Sequence, residues 1–294
     1  MQEAEVRALP TRRRWYSTYF NHTTAVFWGV HLAAAIGVYA LGFSWAGLAL
    51  ALALYAPRMF FVTAGNHRYF SHRSYRTSRV FQFILALCST AVGQRGMIWW
   101  ASHHRRHHRL SDRPGDVHSP NEGFWWSHMG WMLSNEQEYT DLATVKDLNR
   151  FPELRWLERV WMLPPVAVAL ITWALGGTFG LIWGFFVCQV LFWHATFTIN
   201  SLSHLFGSRR FDTRDDSRNN FWLALLTFGE GWHNNHHHKP GRAAQGMRWW
   251  EIDLTYYGLR LLAAVGLIWD LRDNKSAQQR DDALEEPARP LRVA

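Results

Sequence analysis

The sequence predicts an all-α integral membrane protein with four transmembrane helices in two hairpins under a helical cap. Three observations support this fold class. The 294 residues contain runs of about 20 mostly apolar residues, the length that an α-helix needs to cross the hydrocarbon core of a bilayer. Two connections between these runs are very short and hold no basic residue, whereas arginines crowd the outer flanks. The mean hydropathy of −0.20 indicates that a large polar part accompanies the spans.

The apolar runs place the four spans in chain order. They are predicted at about residues 23–42, 45–65, 158–175 and 179–199. The turns "FS" and "GGT" within the two pairs are too short for anything but antiparallel hairpins. The remaining chain divides into an N-terminal segment, a two-part cap and a C-terminal tail, at residues 1–22, 66–157 with 200–271, and 272–294. Both ends are polar and rich in charge, so they are expected to be mobile.

The distribution of arginine predicts the orientation of the spans. Arginines precede the first span and follow the second and fourth, at Arg12, Arg13, Arg14, Arg68, Arg73, Arg76, Arg79, Arg209 and Arg210. Basic residues accumulate on the cytoplasmic side of membrane proteins. Both termini and the cap are therefore predicted to be cytoplasmic. Arg58 lies inside the second span, where a charge is costly and marks a candidate functional residue; snorkelling of its head to the headgroups is the preferred interpretation.

Two further apolar stretches are predicted to belong to the cap. Val80–Ala101 is interrupted by Gln94 and Arg95 after about 14 residues, which is too short for a crossing and favours a buried or interfacial helix. Ile252–Leu271 alternates charged residues with leucine, tyrosine and tryptophan. That pattern is typical of an amphipathic helix that lies on the headgroups.

Histidine provides the strongest functional signal. Eleven of the 16 histidines occur in four motifs, "HRYFSH", "HHRRHH", "NSLSHLFG" and "GEGWHNNHHH". Nine of these eleven are the candidate metal ligands: His67, His72, His104, His107, His108, His204, His233, His236 and His237. Two motifs contain H-x-x-H-H, whose members share one helix face and can point at one centre. His67 and His72 are about 140° apart on an ideal α-helix, which suits a helix end or two separate ions. All nine fall in the same predicted cytoplasmic layer, which indicates a metal site near the membrane surface.

Other histidines were assigned lesser roles. His118, His128 and His194 are candidates for groups that support the ligands, whereas His22, His31, His103 and His238 are interpreted as structural or bystander residues. A basic patch that attracts anionic lipid is the simpler explanation of "HHRRHH" taken alone. Imidazole suits several metals, but nine nitrogens exceed the needs of one tetrahedral zinc and fit two ions of five or six coordination. Two irons that activate O2 are the favoured interpretation.

The four histidine motifs together resemble those of the membrane-bound fatty acyl-CoA desaturases of the stearoyl-CoA type. The similarity extends from about Gly65 to Asp270. It implies that the nine histidines are the ligands of a di-iron centre, that Asn200 reaches one metal through water, and that a bent tunnel carries the acyl chain past the irons. The sequence departs from the family at Ser102 and His103 before the second motif and at Asn235 within the last one, so contacts to the substrate headgroup cannot be transferred.

The resemblance implies O2-dependent insertion of a cis double bond, at the Δ9 position, into a saturated acyl chain. Acyl-CoA is the leading substrate, ahead of acyl-carrier protein and phospholipid. No dinucleotide fingerprint or fused haem domain is recognisable, so a separate ferredoxin, rubredoxin or cytochrome b5-like donor is expected to supply two electrons. No nucleic-acid partner is expected. Candidate tunnel residues are Trp99, Trp100, Trp125, Trp126 and Trp193, and candidate docking arginines are Arg105, Arg106, Arg109 and Arg113.

Two alternatives to a desaturase stay open at this stage. The same oxidant could hydroxylate a lipid or alkane, in which case the product would be an alcohol. A membrane metal transporter could also collect ions on cytoplasmic histidines, although the predicted spans contain few polar residues that could form a pathway. Product analysis and metal content distinguish the three.

Overall fold

A computed structural model describes residues 21–273 and is mostly helical. Most of the predicted N-terminal segment and C-terminal tail, with Arg12, Arg13 and Arg14, lies outside these residues. The α-helices, numbered in chain order, are α1 (His22–Leu41), α2 (Trp45–Phe61), α3 (Arg79–Ala91), α4 (Met97–Leu110), α5 (Trp131–Leu133), α6 (Lys146–Asn149), α7 (Pro152–Arg159), α8 (Leu163–Phe179), α9 (Cys188–Asn200), α10 (Leu202–Leu205), α11 (Phe221–Leu226), α12 (His233–His238) and α13 (Leu254–Ala264). Wider π-helical turns occupy Val62–Ser71, Trp126–Gly130 and Gly180–Val187, and 3-10 turns occupy Pro120–Glu122 and Asn135–Gln137.

Helices α1 and α2 occupy the two positions of the first predicted hairpin, with residues 42–44 between them. Asn21 begins α1, where its side chain accepts a hydrogen bond from the backbone of Thr24, and Ser44 begins α2 in the same way. Such caps satisfy amide groups that have no partner within the helix. By length and composition, His22–Leu41 and Trp45–Ser71 could each cross a membrane. The second stretch is longer than predicted because α2 continues directly into the π-helix Val62–Ser71.

The second predicted hairpin corresponds to one apolar helical stretch. Three such stretches are found in residues 21–273, where the sequence predicted four spans, and the third is Leu163–Leu205 with 43 residues. It begins at Leu163 and not at residue 158, because α7 precedes it. Its backbone is not helical at Gly177 (φ 55°, ψ −150°). Beyond that residue, Gly180 lies so close to the carbonyl of Thr172 that a side chain would not fit, so the two parts pack against each other.

The predicted cap helix Val80–Ala101 is in fact two helices. The chain leaves α3 after Ala91 and begins α4 at Met97, and both Gly93 and Arg95 between them have positive φ. A left-handed backbone ends a helix and lets the next one start in a new direction. The break matters for the site, because α4 carries the "HHRRHH" motif.

The C-terminal stretch Ile252–Leu271 is helical in only its first part. In α13, Leu259 is fully buried while Leu261 is largely exposed, which fits the amphipathic pattern. The chain then turns at Gly266, and strand β2 (Ile268–Trp269) pairs antiparallel with β1 (Arg76–Thr77). This short pairing holds the end of the cap against the segment that follows the first histidine motif.

A buried arginine connects the π-helix Val62–Ser71 with the rest of the cap. Arg68 is 1% exposed and forms ion pairs with Glu230 and Asp253, at 2.9 and 3.0 Å, and its guanidinium also donates to the carbonyl of Ala243. A buried cation needs such partners, because leaving it unpaired costs several kcal/mol, roughly 3–5. The network fixes the first histidine motif relative to the last one, which follows Glu230 directly.

Candidate metal centre

The structure brings the nine predicted histidines together in two adjacent groups. Within each group the donor nitrogens lie within 4.8 Å of one another. The first group contains His67, His72, His104, His108 and His236, and the second contains His107, His204, His233 and His237. No single stretch of chain contributes a whole group, so the fold assembles both from distant motifs.

His67 and His72 belong to the same group because the local helix is not an α-helix. They lie in and directly after the π-helix Val62–Ser71, and the backbone N–H of His72 donates to the carbonyl of His67 at 3.2 Å. In a π-helix each hydrogen bond spans five residues, so positions i and i+5 come onto one side. The expected separation of about 140° on an α-helix is thereby removed, and the two rings come within 4.8 Å.

Each H-x-x-H-H motif serves both groups, which differs from the expectation that its three imidazoles share one centre. On α4, His104 and His108 enter the first group and His107 the second; on α12, His233 and His237 enter the second group and His236 the first. The reason is helical geometry. Residues i and i+4 are about 40° apart, whereas the residue between them lies 60 to 100° away. One helix can therefore face two centres at once.

Four of the nine histidines have a carboxylate at Nδ1, the ring nitrogen that faces away from the group. The sequence analysis identified none of these four carboxylates. The Nδ1 atoms of three members of the second group donate to aspartates: His107 to Asp116 at 2.9 Å, His204 to Asp112 at 2.7 Å, and His237 to Asp215 at 2.8 Å. In the first group, Nδ1 of His67 lies against Glu230. The available signal was acidic residues in the short loops just after or before the motifs, in "SDRPGDV", "DTRDDS" and "GEGW".

This arrangement fits a metal site by its donor chemistry. A carboxylate only accepts hydrogen bonds, so each of these imidazoles carries its proton on Nδ1 and presents the lone pair of Nε2 to the centre. Nε2 of both His107 and His237 is buried without a partner. In the first group, successive Nε2 atoms lie only 2.8 to 3.0 Å apart. These buried Nε2 lone pairs point at one another with no N–H donor between them. A bound cation would satisfy them.

The electrostatics keep most of the imidazoles neutral, which is the form that binds metal. Burial, followed by repulsion between neighbouring imidazoles, holds the pKa well below 6.5 for His72, His104, His108, His233 and His236. Burial also lowers the pKa of His237 to about 4. His107 is the exception: burial lowers its pKa, but Asp116 outweighs that effect and raises it.

A narrow slot of about 80 Å³ opens beside both groups. Its walls include His104, His107, His233 and also Trp99, Trp100, Gln94, Thr196 and Asn200. The Trp100 indole donates to Gln94, and the Gln94 amide donates to Thr196. Of the five tryptophans predicted as tunnel residues, Trp99 and Trp100 line this slot, whereas Trp125, Trp126 and Trp193 do not.

The three histidines proposed as supporting groups have different positions. His118 stacks on His107 with ring centroids 4.1 Å apart. His128 and His194 do not contact the nine histidines by hydrogen bonds. Instead, His194 lies between His31 and His128, with nitrogens 3.0 Å apart on each side, and His128 reaches Ser201. His31 therefore belongs to a separate polar chain within the helices.

The departures from the family motifs have structural roles in this chain. The Ser102 hydroxyl accepts a hydrogen bond from the backbone of Asp141, and His103 donates from Nδ1 to the carbonyl of Trp99. The side chain of Asn235 is completely buried and donates to Gln245 and Glu251 at 3.0 and 2.9 Å. Each of these three side chains is therefore held by hydrogen bonds within the cap.

The predicted docking arginines also divide. Arg105 is held by Asp147 and by the carbonyls of Phe70, Ser71 and Thr144, so it braces the loop after the π-helix Val62–Ser71. Arg106 donates to the carbonyl of Gly115. Arg109 and Arg113 are exposed, and they alone of the four are placed for steering an anionic partner.

Comparison with known proteins places this site in a family. The fatty acid desaturase family model matches residues 43–265. An sn-1 stearoyl-lipid 9-desaturase of Anabaena variabilis is 38% identical over 88% of this chain and 93% of its own length. Delta-9 acyl-lipid desaturase 1 of Arabidopsis thaliana is 36% identical over 82% of this chain and 80% of its own. An acyl-CoA 5-desaturase of Anemone leveillei is 35% identical over 91% and 84%, respectively.

The family model covers most of the chain, and the two histidine groups of the structure are consistent with a metal site of the kind typical of that family. Several helices are long and apolar enough to cross a membrane. The chain belongs to the fatty acid desaturase family and is a membrane fatty acid desaturase.

Proposed function

We propose that the protein introduces a cis Δ9 double bond into the saturated acyl chain of a membrane lipid. The regiochemistry and the headgroup class rest on the relatives from Anabaena and Arabidopsis, whose names state 9-desaturation of acyl-lipids. This revises the substrate order of the sequence analysis, which put acyl-CoA first and phospholipid last. The Anemone relative, named for acyl-CoA, makes acyl-CoA the second candidate.

The nine histidines are proposed as the ligands of two irons, one in each group. The observation that carries this proposal is that four Nδ1–H groups point outward to carboxylates while the Nε2 atoms of the same rings point inward. Nε2 of His107 and His237 has no partner, and Nε2 of His204 and His67 faces the Nε2 of another histidine at 3.0 Å. All-nitrogen donor sets suit iron, copper or zinc, and the oxidation of an unactivated methylene pair excludes redox-inactive zinc. Bound iron would supply the O2-dependent oxidation that no side chain can perform. Asn200, at the wall of the slot, is proposed to contact one metal through water.

The protein's own contribution is to position the acyl chain. The Trp100 ring stacks on His104 with centroids 4.8 Å apart, so a chain in the slot would pass directly beside the first group. The hydrogen bonds from Trp100 to Gln94 and from Gln94 to Thr196 hold that wall in place. A fixed wall selects which carbons face the metals and imposes the bend that yields the cis product.

The third apolar stretch is proposed to cross the membrane twice. Forty-three residues would extend about 65 Å as a straight helix, twice the hydrocarbon thickness. A reversal at Gly177 with its non-helical backbone resolves this mismatch. With four crossings, both termini and the histidine groups lie on the cytoplasmic side, where a ferredoxin, rubredoxin or cytochrome b5-like donor can supply electrons.

Expression in a host that lacks unsaturated lipids tests this function. Lipid extracts analysed by mass spectrometry should show Δ9-monounsaturated chains in intact glycerolipids soon after a pulse of saturated fatty acid. His107→Ala should lower bound iron and abolish the product while the protein stays in the membrane fraction. A hydroxylated chain as the only product would establish a hydroxylase instead. Iron binding with no lipid oxidation, despite a competent donor, would favour a metal transporter.

A further inference from the structure

Arg58 is buried between the apolar helices and does not have the exposed position that snorkelling predicts. It is 7% exposed. Its Nη1 donates to the side-chain carbonyl of Gln189 at 3.1 Å, and its Nη2 lies 3.5 Å from the carbonyl of Gly184. The guanidinium also lies over the ring of Phe185, 5.3 Å from the centroid. The side chain therefore points across α2 toward the segment that begins the last crossing.

The charge of Arg58 is poorly compensated. A guanidinium has five N–H donors, and within residues 21–273 Arg58 donates to two acceptors, both neutral. Among residues 21–273, no carboxylate forms an ion pair with Arg58 within 4.0 Å, whereas the equally buried Arg68 has two. A cation in hydrocarbon without an anion is costly and marks a place where a negatively charged group binds.

Arg58 lies on the wall of a cavity that is larger than the slot beside the histidines. This cavity has a volume of about 590 Å³, is lined by α2, α3, α8 and the start of Gly180–Val187, and opens to the surface beside Leu175. Apart from Arg58 and the Thr172 hydroxyl, which donates to the carbonyl of Ala169, its lining is apolar, including Leu54, Phe61 and Leu175. It shares no lining residue with the slot beside the histidines, so it is not part of that site.

The lining of the cavity is complementary to an amphiphile with a single hydrocarbon chain. Arg58 is near the end of α2 that leads to the histidines, and Leu50 lies eight residues earlier, about 12 Å further from them along the helix axis. Leu175 and Gly176 lie at the opposite end of α8 from its start, beside the Gly177 turn. One cation at one end and an apolar lumen beyond it match one carboxylate with one hydrocarbon chain. The volume is in the range of small-molecule sites.

We propose that this cavity binds a long-chain fatty acid, with its carboxylate on the Arg58 fork and its chain directed toward the Gly177 turn. A guanidinium can bind a carboxylate bidentately, and here the carboxylate would replace the weak contact of Nη2 with the Gly184 carbonyl at 3.5 Å. A phospholipid fits less well, because it has two chains and its phosphate lies in the headgroup layer. Arg58 precedes His67 by nine residues of continuous helix and thus lies below the histidine layer. The protein would then carry an unesterified chain at a site separate from the one that oxidises it.

Binding of palmitate to the purified full-length protein in detergent tests this site. The metal-free protein can be used, so the outcome is independent of the desaturase assignment. Displacement of a fluorescent fatty acid should show one palmitate per chain, with methyl palmitate at least tenfold weaker. Arg58→Gln should weaken palmitate roughly 10- to 100-fold, the effect of losing a charged hydrogen-bonded pair. Arg79→Gln, which removes an exposed arginine at the start of α3, should leave affinity unchanged.

A second variant guards against misfolding of the first. Val168→Trp fills the cavity from α8 and keeps Arg58, so it should also abolish palmitate binding. Equal affinity for methyl palmitate and palmitate would overturn the proposal, as would palmitate binding that is unchanged in both variants. Binding of phosphatidylglycerol but not palmitate, lost in Arg58→Gln, would overturn it in favour of a bilayer-lipid site.

Discussion

Asp116→Asn tests the role of the carboxylates behind the histidines most directly. Asp116 is buried, and both of its oxygens accept from N–H donors: Oδ1 from Nδ1 of His107 at 2.9 Å, and Oδ2 from the backbone of Asp112 at 2.8 Å. An asparagine has only one oxygen. It must direct its NH2 group either at the Asp112 amide, donor against donor, or at Nδ1 of His107.

The second choice has a specific chemical result. If the amide donates to Nδ1 of His107, the ring must carry its own proton on Nε2, which removes the lone pair that faces the second group. The first choice keeps the tautomer but leaves the Asp112 amide buried without a partner. Loss of such outer partners lowers metal affinity roughly 10- to 100-fold, or about 1.4 to 2.8 kcal/mol. We expect this shift in the second group alone.

Anaerobic titration of metal-free protein with Fe(II), in competition with a chelator, measures the effect. Wild type should bind two ions per chain, and Asp116→Asn should keep one affinity while the other weakens by that factor. Asp212→Asn is the matched control, because the Asp212 side chain is fully exposed and forms a long ion pair with Arg209, at 3.8 Å. Unchanged binding of both ions in a folded Asp116→Asn protein would refute the assignment of this aspartate.

Three further predictions concern the scaffold. Arg68→Met removes the counter-charge of two buried carboxylates, Glu230 and Asp253, and should destabilise the protein by roughly 3–5 kcal/mol in thermal unfolding; a melting curve equal to that of wild type would contradict this. Gly65→Ala puts a methyl group 1.9 Å from the Ser89 hydroxyl and should cost about 1–3 kcal/mol, whereas Gly29→Ala, with nothing within 4 Å, should not. Since burial lowers the pKa of most imidazoles in the two groups, the unfolded chain binds more protons below pH 6.5. Metal-free protein should therefore lose stability as the pH falls through 6.5, and a flat profile would contradict this.

Local spacing explains why the histidines could be found from the sequence. On an α-helix, the sequence spacing within H-x-x-H-H determines the angles between the side chains of His104, His107 and His108. The spacing could not show that the residues at i+3 and i+4 belong to different histidine groups. Side chains on one helix face can point at one shared centre or at two neighbouring ones. The relation of His67 to His72 was misjudged for a different reason. The estimate of 140° used α-helical geometry, whereas these residues lie in and directly after a π-helix, which is a rare conformation.

The supporting charges could not be predicted because they are paired at long range. Arg68 is 162 residues from Glu230, and one sequence gives no information on which acid meets which base. The burial of Arg58 could not be predicted either. Its position in an apolar run suggested a head that reaches the surface, but the structure directs it sideways, onto a neighbouring helix that comes 131 residues later. Burial of a polar group is decided by its neighbours, not by its depth along one helix.

The two histidine groups are supported in physically different ways. In the first group, most rings come from helices or their ends, and Glu230 supports His67. The second group depends on the loops that supply its three aspartates. Asp112 links two of these loops, because its Oδ2 accepts hydrogen bonds from His204 at 2.7 Å and from the backbone N–H of Asp216 at 2.8 Å. An ion in the second group would therefore stabilise those loops, because it orders His204 and hence Asp112. Metal binding and folding of the cap surface should be coupled at the second group more strongly than at the first.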